Sequence, residues 1–236
     1  MTTLRKGDRG EAVKILQTLI AVKADGIFGK NTEAAVKAFQ TAHNLTADGI
    51  VGRKTWAALG YAEKDIVLKC EDLKQFSSPH GTKPYGPDST WSTYKSGACG
   101  PTSLAVVHRA LGLAPANEKS TDTIQRLGKY AWEHGYRRKG KGTTAGLFNT
   151  NGTRYTSTGK ASLIESALRE GNFVILLIKA GFPNGYGGDG HYIVAYGIEG
   201  DTVLLRDVGS SLASRQKAPL GSITKGLKSA YIITKR

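Results

Sequence analysis

The sequence predicts two domains: an all-α amino-terminal unit of three helices, then an α+β domain whose sheet is antiparallel. Three observations predict this. The pattern Asp25-Gly26-Ile27-Phe28-Gly29-Lys30-Asn31-Thr32 returns as Asp48-Gly49-Ile50-Val51-Gly52-Arg53-Lys54-Thr55, so the opening residues contain an internal repeat. Beyond residue 71 helical spacing comes first, and β-type apolar runs crowd the carboxyl end. A hydrophobic fraction of 39% over 236 residues gives enough core for a small domain plus a medium one. The boundaries read as 1–60 for the first domain, a connector over 61–70, and 71–236 for the second.

In the first domain Val13, Leu16, Leu19 and Ile20 recur at helical spacing, with Asp8 or Gly10 near the start. Ala35, Val36, Phe39 and Ala42 share one face of a second helix of about three turns. Each copy of the pattern reads as a glycine turn feeding a helix capped near its threonine, Thr32 or Thr55. The second copy runs into Trp56, Leu59 and Gly60, which closes the unit.

In the second domain residues 77–87 contain three prolines and two glycines, which predicts a loop with His80 exposed on it. A helix opens at Cys99, buries Leu104, Val107, His108 and Leu111, and stops near Gly112. A second helix, about 121–134, turns Ile124, Leu127 and Ala131 inward. A third, about 161–170, carries a capping box in Ser162-x-x-Glu165 and ends at Gly171. Strands follow at 173–178, 191–198 and 202–207, the last two joined through the turn Glu199-Gly200-Asp201. Residues 231–234 could close the sheet.

Composition narrows the function. The net charge of +14 calls for an anionic partner: nucleic acid, an acidic envelope polymer or a phospholipid surface. No recognition helix or zinc-finger spacing accompanies the charge, so specific nucleic-acid reading is unsupported. Two cysteines, Cys70 and Cys99, make no disulfide framework. The first residues lack an apolar signal segment, and no stretch approaches the roughly 18 apolar residues of a membrane span. A monomer made in the cytoplasm without a signal peptide is the expectation.

Cys99 lies in Ala98-Cys99-Gly100-Pro101-Thr102-Ser103, a tight turn opening a buried helix. Unpaired N–H groups gather there and favour thiolate over thiol. A thiol also needs a base, and the base needs an orienting acceptor on its other nitrogen. His43 is remote, His80 sits in the loop, His108 reads as a core residue, and His134 suits a helix end. His191 stands apart, at a strand start behind Gly187-Gly188-Asp189-Gly190. Asp207 ends the neighbouring strand of the hairpin, at the same end as His191. Gln75, upstream of the thiol, is a candidate side-chain donor to an oxyanion. Cys70 has no base signature beside it. No His/Cys cluster has metal-ligand spacing, and thiolate chemistry calls for neither metal nor cofactor.

Residues 4–60, with the doubled Asp-Gly-Ile-x-Gly-x-x-Thr signature, closely resemble the peptidoglycan-binding domain family, which implies bacterial peptidoglycan as partner. Gln75-Phe76, the Cys99 turn, Gly190-His191-Tyr192-Ile193-Val194 and Arg206-Asp207 resemble peptidase family 39, within the papain-like superfamily, over about 71–236. That resemblance implies Cys99 as nucleophile, His191 as base, Asp207 as orienter and Gln75 as oxyanion donor. The family often has Asp-Pro at the third position, whereas Asp207 is followed by Val208. The combination resembles a phage endolysin, released through a membrane permeabilised by another protein to act on the cell wall. A stem-peptide or cross-bridge endopeptidase is the leading expectation. An N-acetylmuramoyl-L-alanine amidase, a silent wall-binding protein and a leader-peptide protease are the alternatives.

Overall fold

The computed structural model describes residues 3–61, 64–77, 80–87, 92–139, 141–150, 152–179 and 190–236. Contacts divide it into two compact units, Met1–Lys64 and Asp65–Arg236. Residues 78–79 of the proline-containing loop, and residues 187–189 before His191, lie outside the described residues.

The first unit has three helices: α1 (Glu11–Leu19), α2 (Lys30–Ala42) and α3 (Arg53–Ala58). Leu4, Val13, Leu16, Phe28, Val36, Val51 and Trp56 form its core. Two buried glutamines organise the turns. Gln17 Nε2 donates to Asp25 Oδ1 at 2.8 Å, to the Ile27 carbonyl at 3.0 Å and to Thr32 Oγ1 at 3.0 Å, while its Oε1 accepts from Gly26 N–H at 2.8 Å. Gln40 repeats the set on Asp48, Ile50, Thr55 and Gly49, at 2.9, 2.9, 3.2 and 2.9 Å. Every polar atom of each amide is therefore satisfied, which is what makes burial of a glutamine tolerable.

Three expectations for this unit need correction. Gly29 and Gly52 are the N-caps of α2 and α3, and no side chain caps either helix. Thr32 and Thr55 instead sit buried inside the first turn, occupied by the glutamines. Leu19 is exposed because α1 ends there, and the buried face of α2 is Thr32, Val36 and Gln40. Phe39 is only half-buried, stacked on His43, and Ala42 faces solvent.

The second unit runs β1 (Ile66–Val67), α4 (Tyr94–Gly97), α5 (Cys99–Ala110), α6 (Ser120–Glu133), β2 (Arg137–Arg138), β3 (Lys141–Thr143) and β4 (Thr153–Thr158). There follow α7 (Ala161–Arg169), β5 (Phe173–Ile178), β6 (His191–Glu199), β7 (Thr202–Arg206), β8 (Lys217–Pro219), α8 (Leu220–Gly226) and β9 (Leu227–Lys235). Among the described residues one antiparallel sheet has the order β4-β9-β5-β6-β7-β8, and β1 also pairs with β6. The α+β expectation holds.

Alternation along β5 sets the layers. Phe173 and Ile175 pack with α5 and α6 on one face; Val174, Leu176 and Ile178 pack with α7 and α8 on the other. Helix α5 is buried from Gly100 to His108, as expected of a helix enclosed on all sides. Ile66–Val67, inside the expected connector, pairs with Ile198 and Gly197 of β6, so the second unit starts ahead of residue 71. The capping box at Ser162 does not form. Lys160 is the N-cap without a side-chain bond, and Glu165 pairs instead with Arg169 at 2.9 Å.

Candidate active site

A single residue, Ala98, separates α4 from α5 and is both the C-cap of the one and the N-cap of the other, so Cys99 is the first residue of α5. The Thr102 N–H bonds the Ala98 carbonyl at 3.0 Å and starts the helical ladder. Pro101 fits the first turn, where its missing N–H costs nothing. Gly100 is required by space: a Cβ there would stand 2.8 Å from the Thr143 Cβ. Cys99 as a residue is half-buried.

His191 is the first residue of β6, opposite Ile178 of β5. Gly190 before it has φ +124°, and a Cβ there would stand 2.9 Å from the Ile178 carbonyl oxygen, so only glycine delivers the histidine here. His191 Nε2 bonds Asp207 Oδ1 at 2.9 Å, and the imidazole also bonds the Cys99 thiol. With Nε2 on Asp207, Nδ1 is the nitrogen left for sulfur. Asp207 follows β7 and is 1% exposed; its Oδ1 also accepts from Gly209 N–H at 2.9 Å.

The electrostatics favour an ion pair. Burial pushes the Cys99 thiol up, but the His191 bond and the Tyr192 and Gly100 N–H groups bring it below its ordinary 9.0. Burial pulls His191 down, but bonds to Asp207 and Cys99 overcome it and hold the imidazole at about 9.

Gln75 is buried beside the same elements. Its Nε2 donates to the Lys95 carbonyl of α4 at 2.6 Å, and its own N–H bonds the Val208 carbonyl at 2.9 Å. It is thus tied both to the turn ahead of Cys99 and to the residue after Asp207. One amide N–H is engaged by Lys95, and a second remains on Nε2. Lys74 and Arg215, which the sequence reading did not single out, are also buried here. Lys74 Nζ donates to the Asp207 carbonyl at 2.9 Å and pairs with Asp72 at 2.7 Å. Arg215 Nη1 stands 4.0 Å from Asp207 Oδ2.

The remaining candidates stay outside this cluster. His80, expected at the surface, is fully buried in a 3-10 turn, edge-on to Tyr94 with ring centroids 5.9 Å apart. The tyrosine ring and the surrounding chain cover what the prolines suggested would be open. His108 is buried in the core, and burial pushes its imidazole down to about 4. His134 stacks on Tyr130 at 3.8 Å. Cys70 is held above its ordinary value by burial, even beside Arg206.

Residues 74–236 match the Peptidase_C39 like family. The chain belongs to that family. Residues 7–59 match the peptidoglycan binding domain family, so both resemblances drawn from the motifs are borne out. Among solved structures, the SleB N-terminal domain is 34% identical over 25% of this chain and 89% of its own, with a TM-score of 0.25. A C39-like peptidase from Bacillus anthracis is 14% identical over 73% of this chain and 98% of its own, with a TM-score of 0.46. The Burkholderia AP3 phage endolysin is 30% identical over 45% of this chain; the match spans 32% of the endolysin, with a TM-score of 0.24. No curated protein matches the chain. Within the peptidase-family domain, Cys99, His191, Asp207 and Gln75 form one cluster on α5, β6, the end of β7 and the segment after β1. Among the described residues no helix is long and apolar enough to cross a membrane.

Proposed function

We infer that this protein hydrolyses amide bonds of bacterial peptidoglycan, in the stem peptide or its cross-bridge, through an acyl-enzyme on Cys99. The observation that carries the reading is the hydrogen-bonded line from Cys99 through His191 to Asp207, in a peptidase-family domain on the same chain as a peptidoglycan-binding domain. The Cys99 thiolate adds to the scissile carbonyl carbon. The oxyanion so formed is met by the Gln75 amide and by backbone N–H at the start of α5. The carbon–nitrogen bond then breaks, and His191 gives its proton to the departing amine. Neutral His191 next takes a proton from water as the oxygen attacks the thioester, and the carboxylate leaves with the thiolate restored. Asp207 keeps the imidazole oriented and supports its charged form. The charge of +14 favours a wall rich in anionic polymers.

Purified wall digested by the protein, with products identified by mass, tests the reading. The expected result is new amino termini inside the stem or cross-bridge. Stem peptides released whole, with L-Ala amino termini and intact glycan, would assign the cut to the sugar–peptide junction and make the protein an amidase.

A further inference from the structure

Asp207 is the most enclosed charge in the site, and four elements surround it. From β6, His191 Nε2 meets Oδ1 at 2.9 Å; from the following turn, Gly209 N–H meets the same oxygen at 2.9 Å. From the segment after β1, Lys74 Nζ reaches the main-chain carbonyl of Asp207, not its carboxylate, and is itself paired with Asp72. Gln216 Oε1 accepts from the Asp207 N–H at 3.4 Å. Arg206, next in sequence, turns to the Tyr196 ring, 4.4 Å from its centroid. Facing the second carboxylate oxygen, Oδ2, is Arg215, whose side chain is 10% exposed and whose Nη1 is 4.0 Å away.

The loop that brings Arg215 back is closed by its own bonds. Ser210 N–H reaches the Asp207 carbonyl, Leu212 N–H the Ser210 hydroxyl, Arg215 N–H the Leu212 carbonyl, and Gln216 Nε2 the Ser210 carbonyl. Antiparallel pairing of β7 with β8, Leu204 opposite Lys217, then holds the two ends of the loop side by side.

We propose that Arg215 is a positioning residue of this site, the last member of a line of alternating charge running Cys99 thiolate, His191 imidazolium, Asp207 carboxylate, Arg215 guanidinium. With Arg215 the line sums to zero; without it a largely buried set carries a net negative charge, which favours uptake of a proton. Arg215 acts through Asp207, holding the carboxylate ionised with Oδ1 turned to His191. The proposal rests on the reading of Cys99 and His191 as a reactive pair, and its test needs no wall substrate.

The 236-residue chain carrying Cys70→Ser has Cys99 as its single thiol. Its rate of alkylation by iodoacetamide is measured against pH. The parent is expected to react with an acid limb below 9.0 and a second inflection at about 9, where His191 gives up its proton. Arg215→Met moves the acid limb upward by about one pH unit. Arg215→Gln does the same and serves if the methionine variant fails to fold. Arg215→Lys, which keeps the charge, leaves the limb with the parent. Uncharged variants whose limbs superimpose on the parent's would overturn the proposal, as would a lysine variant shifted as far as they are. A parent with one ordinary thiol limb near 9.0 would remove the Cys99–His191 reading itself, and the role of Arg215 with it.

Discussion

Gln40 and His191 are both buried polar side chains, and they are held in opposite ways. Gln40 closes on Asp48, Gly49, Ile50 and Thr55, all within 15 residues of it, and both ends of its amide are satisfied. His191 takes Asp207, 16 residues on, and Cys99 from a helix far upstream; Asp207 in turn is bonded by Lys74, 133 residues before it. The first network is local and holds no group that changes charge near neutrality. The second gathers ionisable groups from distant parts of the chain, and its protons can move. A closed network whose charge stays fixed near neutrality holds a turn, whereas a line of titratable groups can do chemistry.

The largest effect separating the two belongs to Asp207. Asp207→Asn keeps the size of the side chain and removes its charge, so turnover of purified wall falls by about 100- to 10,000-fold. Turnover within threefold of the parent would mean that His191 needs no orienting carboxylate, and the contrast with Gln40 would lose its basis. The smaller effect belongs to the amino-terminal network. Gln40→Ala takes the acceptor from the buried Gly49 N–H and a donor from Asp48, Ile50 and the buried Thr55, and costs the first unit about 1–3 kcal/mol, read as an earlier transition in calorimetry of the chain. Gln17→Ala costs a similar amount, because its partners are the same at the other copy of the turn. Neither variant should change the rate of Cys99 alkylation, whereas coupling between the two networks would appear as a changed rate.

How far each region could be read from sequence follows the same division. Repetition marked the two turns, and alternating or continuous apolar runs marked β5, β6 and β7, because burial by neighbours near in sequence leaves a periodic trace. The same repeat, followed into the helices, leads from Gln17 to Gln40; looking only for apolar faces passed over both. Strand β4 was missed because Thr153–Thr158 has only one apolar residue, Tyr155, and pairs with β9 alone. The meeting of His191 with Asp207 could be read across the Glu199-Gly200-Asp201 turn, but the approach of Cys99, on a helix far upstream, depends on packing that no local pattern encodes. Lys74 and Arg215 left no trace at all: a charged side chain reads as surface until the partner that allows its burial is known.

The central claim is a division of labour, in which the first unit holds peptidoglycan and Cys99 cuts it. Cys99→Ala and the parent protein, each mixed with purified cell wall, test it in one sample by following clearing of the suspension and the protein carried down with the pellet. The variant is predicted to pellet with the wall as the parent does and to clear none of it. Clearing by Cys99→Ala at the parent's rate would contradict the account.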